Sequence, residues 1–264
     1  MALAAGSALK VATWNVNSLK VRLPHLLDWL ASETPDVVAL QETKTEDAGF
    51  PLQALQQAGW QAVFFGQKTY NGVALVSRVP AEDVTFGIPG FDDEQKRVIA
   101  GTFGGVRVIG AYVVNGESLT SDKYQYKLRW LAAFTAYVRE SLARWPDLVV
   151  VGDYNIAPED RDTHDPAVWK DCVLVSAPER EAFQGLLALG LHDGMRRFEQ
   201  PESTFTWWDY RAAGFRRNLG LRIDHILVSN ALVGNLTACT VDKGPRKLER
   251  PSDHAPVWAS FLGS

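Results

Sequence analysis

Residues 148–155, LVVVGDYN, carry four consecutive aliphatic residues that run through Gly152 into two polar side chains, Asp153 and Asn155. A continuous aliphatic run predicts a strand that is covered on both faces, as in a sheet with further layers on either side. The end of such a strand is a rigid mount, so a polar side chain placed there is held in a fixed geometry. The segment therefore predicts a large layered sheet with functional groups at its edge.

Polar residues accompany apolar runs in the same way at four further places. These are residues 10–17 (KVATWNVN), 36–43 (DVVALQET), 221–225 (LRIDH) and 252–256 (SDHAP). Carboxylate and amide oxygens are hard ligands that suit Mg²⁺ or Mn²⁺ and not zinc. Asp-bearing segments with a histidine supply what phosphodiester hydrolysis needs, which is a cation site, a base for water and stabilisation of the phosphate charge. The pattern predicts a metal-dependent hydrolytic site at strand ends.

Short runs rich in β-branched and aromatic residues predict strands, and longer amphipathic ranges predict helices. The strands are residues 9–13, 36–40, 61–65, 73–76, 98–103, 106–113, 148–151, 223–228 and 256–261, and the helices are residues 23–32, 52–58, 124–144 and 179–189. Gly104 and Gly105 predict a two-residue hairpin turn, and Ser176 predicts the N-cap of the last helix. Hairpins mixed with helical crossovers predict an α/β fold, with two sheets packed face to face and helices outside.

The composition limits the class of protein. The 27 basic and 31 acidic residues give a net charge of −4, which argues against a protein that coats DNA by bulk positive charge. Two cysteines without metal-ligand spacing favour a reducing, cytoplasmic location. No apolar run approaches the roughly 20 residues of a membrane helix, so we expect no membrane contact. No linker divides residues 1–264, so we expect one monomeric domain, with residues 1–8 as a disordered extension.

Six motifs together carry a resemblance that covers the chain from Lys10 to Phe261. They are TWNVN (13–17), LQETK (40–44), YNGVA (70–74), GDYNIA (152–157), LRIDH (221–225) and SDHAP (252–256). In this order and spacing they resemble the exonuclease III family, which includes exodeoxyribonuclease III and class II AP endonucleases, within the endonuclease/exonuclease/phosphatase superfamily. The resemblance implies a DNase I-like four-layer α/β sandwich. It also implies a DNA repair nuclease with 3′-5′ exonuclease activity on double-stranded DNA and AP endonuclease or 3′-end-cleaning activity in base excision repair.

The resemblance implies a role for each residue of the site. Mg²⁺, with Mn²⁺ as a substitute, would be held chiefly by Glu42 in a pocket that also contains Asn15, Asp153, Asn155, Asp253 and His254. Asp153 would orient or deprotonate the attacking water, and Asn155 and Tyr112 would hydrogen-bond the phosphate oxygens. His254, oriented by Asp224, would bind the scissile phosphate. Two questions stay open at this point: whether Asp153 or His254 takes the water proton, and whether one or two metal ions bind.

Two loops predict a DNA-facing surface despite the acidic total. They are residues 207–218 (WWDYRAAGFRRN) and 243–250 (KGPRKLER). Basic side chains such as Arg216 and Arg217 bind phosphates, and aromatic rings stack on bases or beside an extruded nucleotide. The resemblance implies Trp207 as a wall of the sugar pocket and Lys123 as a substrate contact. The aromatic loop is expected to reach no metal ligand, residues 172–177 to line the sugar pocket, and Tyr154 to pack in the core.

Three other classes of protein share parts of this pattern. Inositol-phosphate and sphingolipid phosphodiesterases belong to the same superfamily, but the basic-aromatic loop and the whole-chain likeness favour a nuclease. A non-catalytic relative would have lost one or more of five residues that are all present, namely Glu42, Asp153, Asn155, Asp224 and His254. A serine or cysteine hydrolase would need a nucleophile elbow or a cysteine beside a histidine, and neither occurs. The balance among exonuclease, AP endonuclease, 3′-phosphatase and RNase H-type activities stays open.

Overall fold

The computed structural model describes residues 8–263, so the extension predicted for residues 1–8 lies outside the described residues apart from Ala8. Within this range there are fourteen strands and five α-helices. In chain order they are β1 (Leu9–Asn15), α1 (Leu19–Glu33), β2 (Val37–Gln41), α2 (Leu52–Gln57), β3 (Gln61–Phe65), β4 (Val73–Ser77), β5 (Glu82–Phe86), β6 (Val98–Phe103), β7 (Val106–Tyr112), α3 (Asp122–Arg144), β8 (Leu148–Asp153), α4 (Pro166–Trp169), α5 (Ala177–Leu187), β9 (Leu191–Asp193), β10 (Trp207–Trp208), β11 (Gly220–Leu221), β12 (Asp224–Ser229), β13 (Leu236–Val241) and β14 (Val257–Phe261).

The strands form two six-stranded sheets and a two-stranded ribbon of β10 and β11. The spatial order is β13-β14-β1-β2-β4-β3 in the first sheet and β5-β6-β7-β8-β12-β9 in the second. The pairs β1–β2 and β7–β8 are parallel, whereas the other neighbours within the two sheets are antiparallel. Both sheets are therefore mixed.

Alternate side chains of the central strands explain the layering, because successive residues of a strand point to opposite faces. In β1, Val11 lies in a core shared by the two sheets, whereas Trp14 packs with α1 on the other face. In β8, Val149 lies in the shared core and Val150 packs with α3. The predicted four-layer α/β sandwich, with two packed sheets between helices, is confirmed.

The predicted strands are all present, with ends within two residues of their predicted positions. The hairpin turn is also confirmed, since Phe103 pairs with Val106 across two glycines that both have positive φ. Strands β5, β9, β10, β11 and β13 were not predicted. β5 is an exposed edge strand and β9 has three residues, so neither produces an apolar run.

Helix α1 begins one turn earlier than predicted. The prediction placed Pro24 in the first turn, where the missing N–H of proline costs no hydrogen bond. In the structure, Pro24 lies in the interior of the helix, which begins at Leu19. Helix α5 agrees with the prediction at its start, because Ser176 and Glu179 form a reciprocal capping box. Among residues 8–263, only α3 has the length of a membrane span, and it is too polar to be one.

A buried ion cluster fixes the segment that leads into β12. The guanidinium of Arg222 donates to Asp162 at 2.7 Å and to Asp193 at 2.8 Å, and all three side chains are buried. Burial disfavours the charged carboxylates, but Arg222 lowers the pKa of both acids below the ordinary value. The cluster therefore holds the backbone two positions before Asp224 in a fixed place.

We expect Asp193→Asn to lower the free energy of unfolding at neutral pH and to lower it much less in acid. Because the folded-state pKa of Asp193 lies below its unfolded-state value, its ion pair contributes fully above about pH 5 and is lost as the pH falls through the folded-state pKa, below about pH 4. At neutral pH, the substitution should lower the free energy of unfolding by less than the roughly 3–5 kcal/mol lost when a buried ion pair is fully broken, because Asp162 remains bound to Arg222.

Urea unfolding of the parent and the variant from neutral pH to the acid limit of the folded protein measures this difference. Asp209→Asn, which removes a surface carboxylate paired with Arg211, serves as the control. An Asp193→Asn cost that is equal at every pH would contradict the assigned role.

Candidate active site

The polar residues that accompany the apolar strands meet at one edge of the stacked sheets. In the first sheet, Asn15 ends β1, and Glu42 directly follows its parallel neighbour β2. In the second sheet, Asp153 at the end of β8 lies opposite Tyr112 on β7 and opposite Asp224 on β12. The two sheets therefore present their functional residues to one pocket, as the strand ends predicted.

Gly152 permits the close approach of β8 to β7 just before the pocket. A Cβ at this position would lie 1.9 Å from the carbonyl oxygen of Ala111, so any side chain would push the two strands apart. Asp153 follows directly, and such a displacement would move its carboxylate away from Tyr112. The glycine is therefore a geometric requirement of the site.

Asn15 joins two carboxylates of the pocket. Its Nδ2 donates to Oε1 of Glu42 at 2.8 Å and to Oδ2 of Asp153 at 2.9 Å. The Tyr112 hydroxyl donates to the same Glu42 oxygen at 3.0 Å, and the Lys44 ammonium lies 3.0 Å from the other. Burial raises the pKa of Glu42, but Asn15 and Lys44 outweigh it and lower the pKa overall. Glu42 is therefore an ionised carboxylate held in one orientation.

His254 lies between two carboxylates. Its Nδ1 is 2.9 Å from Oδ2 of Asp224, and its Nε2 is 3.7 Å from Oδ2 of Asp153. Burial opposes a charged imidazole, but Asp224 and Asp153 together raise the pKa of His254 to about 10. Burial raises the pKa of Asp153 to about 7 against the opposing effect of His254. At neutral pH we place the shared proton on the imidazole, because both carboxylates stabilise it there.

Asn155 and Tyr112 line the same pocket as neutral polar groups. Asn155 has a left-handed backbone, with φ 47°, and its N–H donates to Oδ1 of Asp153 at 2.9 Å. Its Nδ2 donates to the carbonyl of Val113 at 2.9 Å, and its Oδ1 accepts from Asn115 at 3.3 Å. Burial and the neighbouring carboxylates raise the pKa of Tyr112 well above its ordinary value, so its hydroxyl keeps its proton.

Asp253 differs from Glu42 and Asp153, because its carboxylate accepts hydrogen bonds only from residues outside the predicted metal pocket. Oδ1 accepts from Asn17 at 3.1 Å, and Oδ2 accepts from the indole of Trp207 at 2.9 Å. Asn17 also accepts from Lys44 at 2.7 Å, and Lys44 pairs with Glu42. A continuous chain of polar contacts thus joins Glu42 to Trp207. The expectation that the aromatic loop reaches no predicted metal ligand is wrong.

The donor set of the pocket suits a hard divalent cation. Glu42, Asp153 and His254 each offer one ligand atom, and these atoms lie within 4.8 Å of one another. Two of these three atoms are carboxylate oxygens, the hard ligands that favour Mg²⁺ or Mn²⁺, whereas the imidazole of His254 could bind a cation only without its second proton. Asn155 donates directly to Asp153 of this group, whereas Asp253 is connected to Glu42 only through Asn17 and Lys44.

The side chains predicted to bind DNA phosphates lie on the surface. Lys123 is at the start of α3 and forms an exposed ion pair with Glu117 at 3.1 Å. Arg216 and Arg217 are both exposed, and neither forms an ion pair with any residue in the described part of the chain. All three therefore remain accessible to an anionic partner.

Trp207 stands at the junction of the pocket and an apolar cluster. Its backbone forms a β-bridge with His254, and its half-buried ring packs against a small apolar cluster that also receives Trp169, Val173 and Val175. The rings of Trp207 and Trp169 meet edge to face, with centroids 6.4 Å apart. The segment of residues 172–177 was predicted to line a sugar pocket. Its members Val173, Leu174 and Val175 belong to the same apolar cluster as Trp207, the predicted wall of that pocket.

Other parts of the predicted DNA surface serve the core instead. Trp208 is buried with its indole donating to Asn218 at 3.0 Å. Arg246 is 6% exposed, donates to the carbonyl of Ser252 and lies over the ring of Phe215. The loop of residues 243–250 therefore exposes less positive charge than predicted, because a count of charged residues does not reveal side-chain direction. Tyr154 is fully buried, and its predicted packing is confirmed.

Sequence reasoning gave no role to four residues that support the site. Asn17, Lys44 and Ser252 lie inside the quoted motifs, and Asn115 follows β7 closely, so the strand-end rule could have indicated it. Ser252 donates from Oγ to the carbonyl of Asn15 at 2.6 Å. In the same region, the indole of Trp14 donates to the carbonyl of His254 at 3.2 Å. These contacts join the two motif segments most distant in sequence.

Comparison with known proteins agrees with this geometry. The model of the endonuclease/exonuclease/phosphatase family matches residues 12–254. Exodeoxyribonuclease III of Haemophilus influenzae is 35% identical, over 96% of this chain and 100% of that protein. The 3′-5′ exonuclease NExo of Neisseria meningitidis is 53% identical, with a TM-score of 0.94 over 96% of this chain and 100% of that one. An AP endonuclease of Archaeoglobus fulgidus is 39% identical, with a TM-score of 0.92 over 96% and 99%.

The structure of the Neisseria protein has also been described as that of a 3′ phosphatase bound to a product DNA hairpin, again with a TM-score of 0.94. The likeness extends over nearly the whole of each chain, so it includes both sheets and every segment of the pocket.

We expect Glu42→Gln to weaken Mn²⁺ binding by more than about tenfold, because even groups that only orient a metal ligand contribute about 10–100-fold to affinity. Glu42 is the ionised carboxylate on which Asn15, Tyr112 and Lys44 converge. Calorimetric titration of the metal-free protein with Mn²⁺ measures the change. Glu117→Gln removes an exposed carboxylate outside the pocket and should bind Mn²⁺ like the parent. Equal affinity of the Glu42 variant and the parent would place the cation elsewhere.

Proposed function

Because this chain belongs to the endonuclease/exonuclease/phosphatase family and is a DNA repair nuclease that hydrolyses phosphodiester bonds, we propose that it uses Mg²⁺ to cleave double-stranded DNA at 3′ ends and at abasic sites. The proposed reactions are 3′-5′ exonuclease cleavage, removal of groups that block 3′ ends, and incision at abasic sites during base excision repair. Mn²⁺ is expected to replace Mg²⁺.

The convergence of Glu42, Asp153 and His254 is the observation that carries this proposal. Two carboxylates beside a carboxylate-bound histidine provide both a place for a hard cation and a positive group for a phosphate. The activities described for the similar Neisseria and Archaeoglobus proteins support 3′ ends and abasic sites as the substrates.

Each side chain has a definite part in the proposed reaction. A bound Mg²⁺ would neutralise charge on the phosphate and so ease attack by water. Glu42 would hold the cation together with Asn15, and Asp153 would orient the water. His254 would face the negative charge that develops on the phosphate, while Asp224 holds the imidazole in place.

The remaining pocket residues position the phosphate and the ligands. Asn155 and Tyr112 supply neutral donors beside the carboxylates, which suits contact with phosphate oxygens. Asp253 acts through Asn17 and Trp207, to which its two oxygens are bound.

The apolar cluster beside the pocket supports a sugar without a stacked base as a substrate. Trp207, Trp169 and Val173 provide a flat and an aliphatic surface next to His254. A nuclease that acts at an abasic or terminal nucleotide must hold a sugar that has lost its stacking partner, and such a surface can replace that partner.

The surrounding surface would bind duplex DNA through exposed basic side chains. Lys123, Arg216 and Arg217 are the groups we assign to phosphate contacts. We further propose a monomeric protein in the cytoplasm, because its substrate would be DNA and both cysteines are free thiols.

We expect Asp153→Asn and His254→Ala each to lower turnover on end-labelled duplex DNA by more than about a hundredfold, a barrier increase near 2.7 kcal/mol. Asp153→Asn removes one of the buried negative charges and should change thermal unfolding little. His254→Ala leaves the buried Asp224 carboxylate without its positive partner and should lower stability, so turnover is compared at a temperature where both variants are folded. Asp224→Ala should cost less, because it removes the orientation of His254 and not the imidazole itself. Reactions with Mg²⁺ and with EDTA form the assay, and undiminished cleavage in EDTA would overturn the metal-dependent mechanism.

We expect Trp207→Ala to change the choice of substrate more than the chemistry. Since stacking contributes about 1–3 kcal/mol per contact, activity on one substrate class should fall by about tenfold to a hundredfold. The ratio of abasic-site incision to 3′-5′ exonuclease activity, measured on matched duplexes, reports this change.

Tyr210→Ala is the matched control, because this exposed ring on the same loop lies outside the apolar cluster. If the two activities fall equally in the Trp207 variant and its thermal stability falls as well, Trp207 is a packing residue.

A further inference from the structure

Lys127 is a fully buried lysine with no part in the reaction described above. It lies on the inner face of α3, and its side chain and that of Glu179 are both inaccessible to solvent. Lysine is almost never fully buried unless its ammonium is paired, because transfer of the charge out of water is costly. A lysine in this position therefore requires a specific reason.

The ammonium of Lys127 donates to three acceptors, which is the full capacity of the group. It donates to the backbone carbonyl of Asn155 at 2.7 Å, to that of Asn115 at 3.1 Å and to the carboxylate of Glu179. Two of the three acceptors thus belong to the backbone of residues whose side chains meet at the pocket, where Asn115 donates to Asn155.

Glu179 anchors this arrangement to a third segment. Its Oε1 accepts from the N–H of Leu174 at 3.0 Å, and its Oε2 accepts from the N–H of Ser176 at 3.0 Å. The carboxylate therefore holds residues 174–176, of which Leu174 and Val175 belong to the apolar cluster beside Trp207. One buried ion pair joins the loop after β7, the loop after β8 and the segment before α5.

The backbone of Asn155 needs such support. A left-handed φ of 47° is uncommon outside glycine, and although asparagine tolerates it better than most residues, surrounding contacts still fix the backbone in this one conformation. The carbonyl held by Lys127 belongs to the same residue, whose N–H binds Asp153. Release of this carbonyl would allow Asn155 to relax and would disturb the orientation of Asp153.

A contribution to stability does not explain the pair. Replacement of a buried ion pair by neutral groups of similar volume is often neutral or stabilising, because the desolvation of two charges offsets their attraction. The ion pair instead brings three pocket segments to fixed distances from one another.

We infer that Lys127 is a positioning residue for phosphodiester cleavage, which holds the backbone of Asn155 and Asn115 so that the Asn155 amide and Asp153 keep their working geometry. This inference rests on the proposed function, because it assigns Asn155 and Asp153 to the reaction.

The test compares two double variants with the parent. Lys127→Met/Glu179→Gln removes both charges and every donor at position 127. The single amide oxygen of glutamine keeps the capping box with Ser176 but leaves the N–H of Leu174 without its acceptor, and this loss is common to both double variants. Lys127→Gln/Glu179→Gln keeps a neutral donor that can reach one carbonyl. Arg107→Met is the control, because Arg107 is also fully buried and donates to a backbone carbonyl, that of Asp83, at the opposite end of β7 from Tyr112.

We expect the methionine double variant to unfold at nearly the parent temperature and to lose about tenfold to a hundredfold in kcat, the penalty of a slightly misplaced reacting group. KM for duplex DNA and the Mg²⁺ concentration for half-maximal rate should stay within about threefold, because the phosphate-binding surface and Glu42 are untouched. The glutamine double variant should retain a higher kcat. Arg107→Met should lose stability and keep its kcat.

The outcomes separate the inference from the proposed function. Parent-like kcat in the methionine double variant overturns the role of Lys127, and so does a glutamine double variant whose kcat is no higher than that of the methionine one. In both cases Mg²⁺-dependent cleavage by the parent leaves the proposed function intact. A kcat loss matched by Arg107→Met would make the effect one of stability alone and would also overturn it. Absence of Mg²⁺-dependent cleavage in the parent itself would instead remove the proposed function.

Discussion

A carboxylate that is almost completely removed from water constrains the whole pocket. Asp153 is 1% exposed, and it lies opposite Asp224 in the sheet, with Glu42 connected to it through Asn15. Three carboxylates in one buried region repel one another, so each needs donors or positive charge. The imidazole of His254 lies between two of them, and Lys44 pairs with the third. The same excess of negative charge prepares the pocket for a divalent cation.

The two sheets impose this concentration of charge, and no single loop could do so. Parallel pairing brings the ends of β7 and β8 together, and the antiparallel partner β12 begins beside the end of β8. Behind the pocket, Arg222 fixes the segment before β12, and Lys127 ties the loops after β7 and β8. Buried ion pairs thus maintain the distances between the strand ends that carry the functional groups.

The apolar runs were sufficient to predict the central strands, the hairpin and the layers, because a strand covered on both faces needs a continuous aliphatic sequence. The same rule could not find the edge strand β5, whose side chains are largely exposed, or the early start of α1, where proline lies inside the helix. In the site, the motif segments predicted Glu42, Asp153 and His254 as neighbours. The occupied oxygens of Asp253 and the buried guanidinium of Arg246 depend on side-chain direction, which only the folded backbone determines.

The contact between Ser252 and the carbonyl of Asn15 spans 237 positions of the chain, and the contact between Trp14 and the carbonyl of His254 spans 240. Bringing such distant segments together costs loop-closure entropy, which the pairing of the intervening strands and the packing of the two sheets must offset. Partly folded chains and proteolytic fragments therefore lack a complete pocket, even where β8 and its neighbours have already paired. Phosphodiester hydrolysis therefore requires the native fold, because only the native fold assembles the complete pocket.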